Sequence, residues 1–207
     1  MAYGDMFRRL LRGRGITHLV HFTQLENLPS IIDSGIRPRA ELDAEAIPYQ
    51  WSDPLRLDGF PDSVSLSITD PNYAMLNSLQ KRMPRSRWIA LGIDPEIMIG
   101  AQCRFCARNA ASGFYKNSWR SFSNLTAFEE MFEDQKRWDG SWEREARQLQ
   151  DCQTTDPQAE ILFFGTIPPD RIIFGTAEDA VVGQWVQDQL DRIGGWERDV
   201  HLGSLLD

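Results

Sequence analysis

The chain has 207 residues, 42% hydrophobic and 25% charged, the proportions of a soluble globular protein with one well-cored domain over 1–207 and too short for two. A net charge of −8 excludes indiscriminate coating of nucleic acid. The charge is uneven: residues 1–120 carry 15 Lys+Arg against 12 Asp+Glu, and residues 121–207 carry 7 against 18, so a polyanion is expected to dock on surface from the first part.

Cys103, Cys106 and Cys152 are too few, and odd in number, for a disulfide framework, which points to a reducing, cytoplasmic compartment. The start of the chain lacks the apolar core of a signal peptide, and no apolar run approaches a membrane span.

Residues 4–12 read as a short helix broken by Gly13 and Gly15. Ile16–Thr23, rich in β-branched and aromatic residues, reads as a strand. His21 and Thr23 share one of its faces, while His18 and His21 face opposite sides and make a poor metal pair. Leu28, Ile31 and Ile32 are spaced for the buried side of a helix that stops at Gly35. Asn27 stands at its positive end. Residues 36–62, with four prolines and the aromatics Tyr49, Trp51 and Phe60, read as a long irregular segment of the kind that carries function.

Ser63–Ile68 alternates hydroxyl and aliphatic residues, the pattern of a half-buried strand. Asp70 is the expected N-cap of the next helix and Pro71 its first residue. That helix runs to about Arg82, which heads a basic cluster with Lys81, Arg85 and Arg87. Trp88–Ile93 is a further strand. The lone C-x-x-C of Cys103 and Cys106 has no second ligand pair, so structural thiols and no metal are expected. Asn109–Gly113 is a small-residue turn where a ligand can approach the backbone closely. Thr126 to Glu129 has the capping-box spacing. Arg171–Phe174 reads as a strand, residues 177–191 as an amphipathic helix, and the tail from Gly194 as frayed.

Asp156–Gly165 reads as a buried strand entered from an Asp-Pro turn. Alternation along it sets Gln158 and Glu160 on one face. An acid at the mouth of a buried strand is costly unless it is paired or has chemistry to perform. Two readings of Glu160 fit: a strand-edge carboxylate paired with an arginine, or a catalytic group.

These pieces together resemble the DarT family of toxin mono-ADP-ribosyltransferases. The resemblance is carried by His21-Phe22-Thr23 with Asn27-Leu28, by Ser63–Ser67 with Pro71–Met75, by Cys103–Cys106 with Asn109–Ser112, and by Thr154–Glu160. It spans about residues 17–174. It implies an α+β domain of ADP-ribosyltransferase type, with a split, mainly antiparallel central sheet flanked by helices around an NAD cleft. It implies NAD as co-substrate and a base of single-stranded DNA as acceptor. Glu160 would be the catalyst and Gln158 the reader of the target base. His21, Thr23, Asn27 and Ser67 would hold NAD, and Arg39 or Arg82 would contact its pyrophosphate or the DNA. An antitoxin, usually a macrodomain hydrolase that removes the mark, would be the partner of a monomeric toxin.

Thymine-modifying members carry an arginine just after the second strand; Thr69–Asn72 has none. That departure and the Gln-x-Glu arrangement resemble the guanine-modifying branch. RNA or a protein side chain as acceptor, plain NAD hydrolysis, and a silent module that grips NAD remain open at this level.

Overall fold

A computed structural model of the protein describes residues 3–51, 58–116 and 122–203. Residues 52–57 of the expected irregular segment lie outside them. The strands are β1 (Leu19–Gln24), β2 (Ser63–Ile68), β3 (Trp88–Ile93), β4 (Cys103–Cys106), β5 (Glu160–Phe164), β6 (Ile172–Ala177) and β7 (Asp199–Leu202). The helices are α1 (Tyr3–Arg14), α2 (Leu28–Ser34), α3 (Arg39–Ala44), α4 (Tyr73–Arg82), α5 (Gly113–Lys116), α6 (Leu125–Glu130), α7 (Glu143–Ala146) and α8 (Ala180–Leu190). The protein is thus α+β, with one sheet in the order β4-β5-β2-β1-β3-β6-β7. All neighbours are antiparallel except β6 and β7.

The alternation in β2 does what its spacing dictates. Val64, Leu66 and Ile68 are buried in the main core, and Ser63, Ser65 and Ser67 face the other way. The main core lies on one side of the sheet. There Phe7 of α1, Phe105 of β4 and Phe128 of α6 meet edge to face, with ring centroids 4.9–5.8 Å apart. A smaller cluster of Val20, Leu76, Leu79, Trp88 and Ala90 sits on the other side beneath α4. Each of these large side chains, fully buried, contributes about 1.5–3 kcal/mol. β3 is covered on both faces, and Gly92 is the residue there because the ring of Phe174 lies 2.1 Å from where a Cβ would stand.

The sheet is split between its two central strands. β1 pairs with β3 along its whole length, Leu19 to Gln24. It pairs with β2 only at Leu19↔Ile68 and Val20↔Ser67. From His21 onward β1 leaves β2, and β2 pairs with β5 on its other side. A cavity opens into this fork.

Several boundaries differ from those read off the sequence. α4 starts at Tyr73, capped by the Asn72 side chain on Met75 N–H, with Asp70 and Pro71 outside it. α6 is capped by Asn124, not Thr126. The irregular segment holds a helix, α3. The described part of the tail, as far as Gly203, does not fray: β7 runs parallel to β6, and the buried Arg198 ahead of it donates to Ile172 O at 2.6 Å. No helix among the described residues is long and apolar enough to cross a membrane.

Candidate active site

The cavity in the fork holds about 440 Å³. Its lining brings together His21, Thr23 and Asn27 from the β1–α2 side, Ser67 from β2, Glu160 from β5, Arg39 from α3 and Arg82 from the end of α4. Residues far apart in the chain are collected here because β1, β2 and β5 are neighbours in the sheet.

His21 sits at the point of divergence. Its Nδ1 lies 3.1 Å from Ser65 O, so the ring bonds a carbonyl of β2 just beyond the point where the backbone ladder stops. A carbonyl only accepts, so Nδ1 carries a proton in this contact. Thr23 and Asn27 form a pair: Asn27 Nδ2 donates to Thr23 Oγ1 at 2.9 Å. Asn27 occupies the N-cap position of α2, but its side chain makes no capping bond there. Instead it clamps the segment crossing the cavity, donating to Gln50 O at 2.7 Å and accepting from Gln50 N–H at 2.7 Å. Gln24 adds a bond from Nε2 to Trp51 O at 3.2 Å.

Of the three aromatics in that segment, Tyr49 and Trp51 line the cavity. Phe60 packs edge-on against Phe164 and beneath Arg104. Arg39 is tied to Asp43 at 3.5 Å within α3, while Arg82 is exposed at the cavity mouth. The remaining cationic cluster is partly used on the surface, Arg87 lying 3.6 Å from Glu26.

Glu160 is the first residue of β5 and lies opposite Cys106 in the ladder. Its Oε1 accepts the Ala110 backbone N–H at 2.7 Å. The small-residue turn of Asn109–Gly113 therefore makes a close approach to the carboxylate, where the sequence suggested an approach to a ligand. Gln158 is placed differently from the strand reading. It lies in the turn before β5, its N–H donating to Asp156 Oδ1 at 2.8 Å, so the alternation argument does not reach it. It is exposed and outside the cavity lining, and its Oε1 accepts from Asn109 Nδ2 at 3.2 Å.

Asn109, Gln50 and the nearly buried Asp58 also line the cavity, and sequence spacing did not single them out for it. Asn109 stood in a flagged turn, but nothing in the chain announced its bond to a residue 49 positions away. The segment before Glu160 is braced from both sides. Arg144 donates to Thr155 Oγ1 at 3.0 Å and Arg147 to Thr155 O at 2.7 Å. Thr69, held at a φ of 64°, donates its hydroxyl to Cys152 O at 3.1 Å. Cys103 and Cys106 are buried, and burial pushes both thiols up to about 12. That favours the inert protonated form expected of structural thiols. Among the described residues no group of His, Cys, Asp and Glu is arranged to hold a metal ion.

No curated protein sequence matches the chain. Solved structures do. Thermus sp. 2.9 DarT in complex with NAD+ superposes with a TM-score of 0.60 at 17% identity, over 90% of this chain and 94% of that one. Thermus sp. 2.9 DarT in complex with ADP-ribosylated single-stranded DNA gives 0.58 at 17% identity, over 91% and 94%. Thermosipho africanus DarTG in complex with ADP-ribose gives 0.56 at 16% identity over 90% of this chain, which spans half the length of that one. At such identities the likeness is one of fold. The sequence profile of the family described as DarT, ssDNA thymidine ADP-ribosyltransferase, matches residues 20–191. That match covers most of the molecule, including β2, β5 and all of β1 but Leu19, and the chain belongs to the DarT family of single-stranded-DNA ADP-ribosyltransferases.

Proposed function

We propose that the chain is the toxin of a toxin–antitoxin pair and transfers ADP-ribose from NAD to guanine in single-stranded DNA, with Glu160 as its catalytic carboxylate. The observation that carries this reading is the meeting of Glu160 with His21, Thr23, Asn27 and Ser67 in one cavity of about 440 Å³. NAD lies in the fork between β1 and β2. His21, Thr23, Asn27 and Ser67 hold its nicotinamide and ribose end, and Arg39 or Arg82 meets its pyrophosphate.

The bond from ribose to nicotinamide breaks with both electrons, and nicotinamide leaves neutral. Positive charge builds on the ribose, where the Glu160 carboxylate stabilises it. A base nitrogen gives its electron pair to the ribose carbon and passes its proton to Glu160. Gln158, next to this acid, reads the base. Preference for guanine over thymine is supported by Thr69–Asn72, which supply no arginine after β2. The partner implied by the family resemblance is a macrodomain antitoxin that removes the mark in the cytoplasm.

The test incubates the chain and NAD labelled in its adenylate phosphate with single-stranded DNA, duplex DNA, RNA or no acceptor. Label on guanine of single-stranded DNA is the expected result, abolished by Glu160→Ala. Free ADP-ribose alone would make the protein a hydrolase, and label on RNA would change the acceptor. A signal indifferent to Glu160→Ala would remove the assigned catalyst.

A further inference from the structure

The turn after β4 holds two residues of the acceptor side at once. Ala110 N–H donates to Glu160 Oε1 at 2.7 Å, and the neighbouring Asn109 Nδ2 donates to Gln158 Oε1 at 3.2 Å. The orientation of the Asn109 amide is fixed by chemistry. Its other end accepts the Ala111 backbone N–H at 2.8 Å, a contact only an oxygen can make. The nitrogen is therefore the atom turned to Gln158, and it meets the oxygen of that amide. Gln158 is pinned along its backbone too, through its N–H to Asp156 Oδ1. With its oxygen turned inward, Gln158 directs Nε2 away from Asn109, and that nitrogen has no partner among the described residues.

We infer that Asn109 is a positioning residue that fixes Gln158 as a donor, so that the enzyme accepts only bases presenting a carbonyl oxygen beside a ring N–H. This builds on transfer to a DNA base by Glu160. Gln158 Nε2 would donate and Glu160 would accept, a pair that matches O6 and N1–H of guanine or O4 and N3–H of thymine. Adenine and cytosine present the opposite order, an amino group beside an unprotonated ring nitrogen. Against them a donor meets a donor and a carboxylate meets a lone pair. A site built on hydrogen bonds rejects such a mismatch far more strongly than an apolar pocket rejects a change of size. Asn109 touches the base only through Gln158, and its effect is on selectivity.

Four short single strands test this, each carrying one guanine, thymine, adenine or cytosine among abasic spacers. Initial rates of label transfer from NAD are compared as ratios. The unsubstituted protein is expected to label a guanine or thymine strand at least ~100-fold faster than either of the other two. Asn109→Asp still accepts the Ala111 N–H but offers Gln158 only oxygen, so the Gln158 amide turns over and shows its own oxygen to the base. The ratio of keto to amino bases is then expected to fall at least ~10-fold. Gln158→Glu removes the donor outright, lies on an exposed turn, and should move the ratio the same way.

A merely structural Asn109 would lower all four rates together and leave the ratio where it was. That outcome in Asn109→Asp, or a preference of the unsubstituted protein for adenine or cytosine, overturns the inference and leaves transfer to DNA standing. Labelling of none of the four strands overturns transfer to DNA and this inference with it.

Discussion

The Ala110 backbone N–H donates to Glu160 Oε1 at 2.7 Å. Backbone cannot swing as a side chain does, so the carboxylate is held by a group fixed between β4 and α5. One oxygen is oriented by the bond, and the carboxylate is turned toward the cavity it lines. Glu160→Gln keeps the volume and an oxygen for Ala110, and removes the charge. Transfer is expected to fall by at least ~10²-fold, the scale of losing one preorganised electrostatic contact in a catalytic site. Thermal stability should change little. Single-turnover transfer to DNA and a melting curve on the same preparation check both, and a variant that keeps most of its rate would take Glu160 out of the chemistry.

Asn27 closes the cavity from the other side. It makes two bonds to the backbone of Gln50 and one to Thr23 Oγ1. Each such bond is worth about 1 kcal/mol net, so losing the two to Gln50 in Asn27→Ala should loosen the Gln50–Trp51 crossing by about 2 kcal/mol. Limited proteolysis is the direct measurement. Cleavage near Gln50 should accelerate at least ~10-fold, because cleavage follows the population of the open form. Unchanged cleavage would mean that other contacts hold the segment.

Much of this arrangement was legible and some was not, for reasons that particular residues make plain. β2 was legible because Ser63–Ile68 alternates without a break, and the core takes every second residue. The start of α4 was not. Asp70 has the right chemistry for an N-cap, but its Oδ2 accepts from Gln153 Nε2 at 2.7 Å, a partner 83 residues away, and the role passes to Asn72. The split of the sheet could not be read locally. Nothing in Leu19–Gln24 says that only its first two residues pair with β2. Gln158 was misplaced for a related reason: Asp156 accepts the Gln158 N–H and makes a turn where the apolar run suggested that the strand had begun. β7 carries no strong local pattern and depends on Arg198 for its anchorage. The resemblance to a family, by contrast, was carried by short runs that survive whatever the distant partners are.

The His21 ring bonds Ser65 O through Nδ1 at 3.1 Å, where the β1–β2 ladder ends. If Nε2 meets NAD, His21→Ala removes one hydrogen bond to substrate, and the Michaelis constant for NAD should rise about 10-fold, the equivalent of about 1.4 kcal/mol. The effect on kcat should be smaller than on KM. Steady-state rates at varied NAD separate the two. A variant with normal KM and a much lower melting temperature would show that His21 serves the sheet alone.

Cys103 and Cys106 give the fold a pH dependence of definite sign. Burial pushes both thiols up to about 12, while an unfolded thiol titrates near about 8.5. Below that lower value both states hold their protons and the contribution to stability is fully present. Between the two values the unfolded chain releases protons that the folded chain keeps, so stability falls as pH rises, by about 1.4 kcal/mol per pH unit for each thiol. Tyr3 and Tyr115, also raised by burial, add to the loss at the alkaline end. The thiol share is isolated by difference. Cys103→Ala is expected to be less stable at neutral pH, because it leaves a small cavity, yet to lose stability less steeply in alkali, by about one proton's worth. Urea unfolding at about pH 7, 9 and 10.5 measures the two slopes. Parallel slopes would put the ionisation of the folded thiol back at its ordinary value and show that the β4 edge of the core admits water.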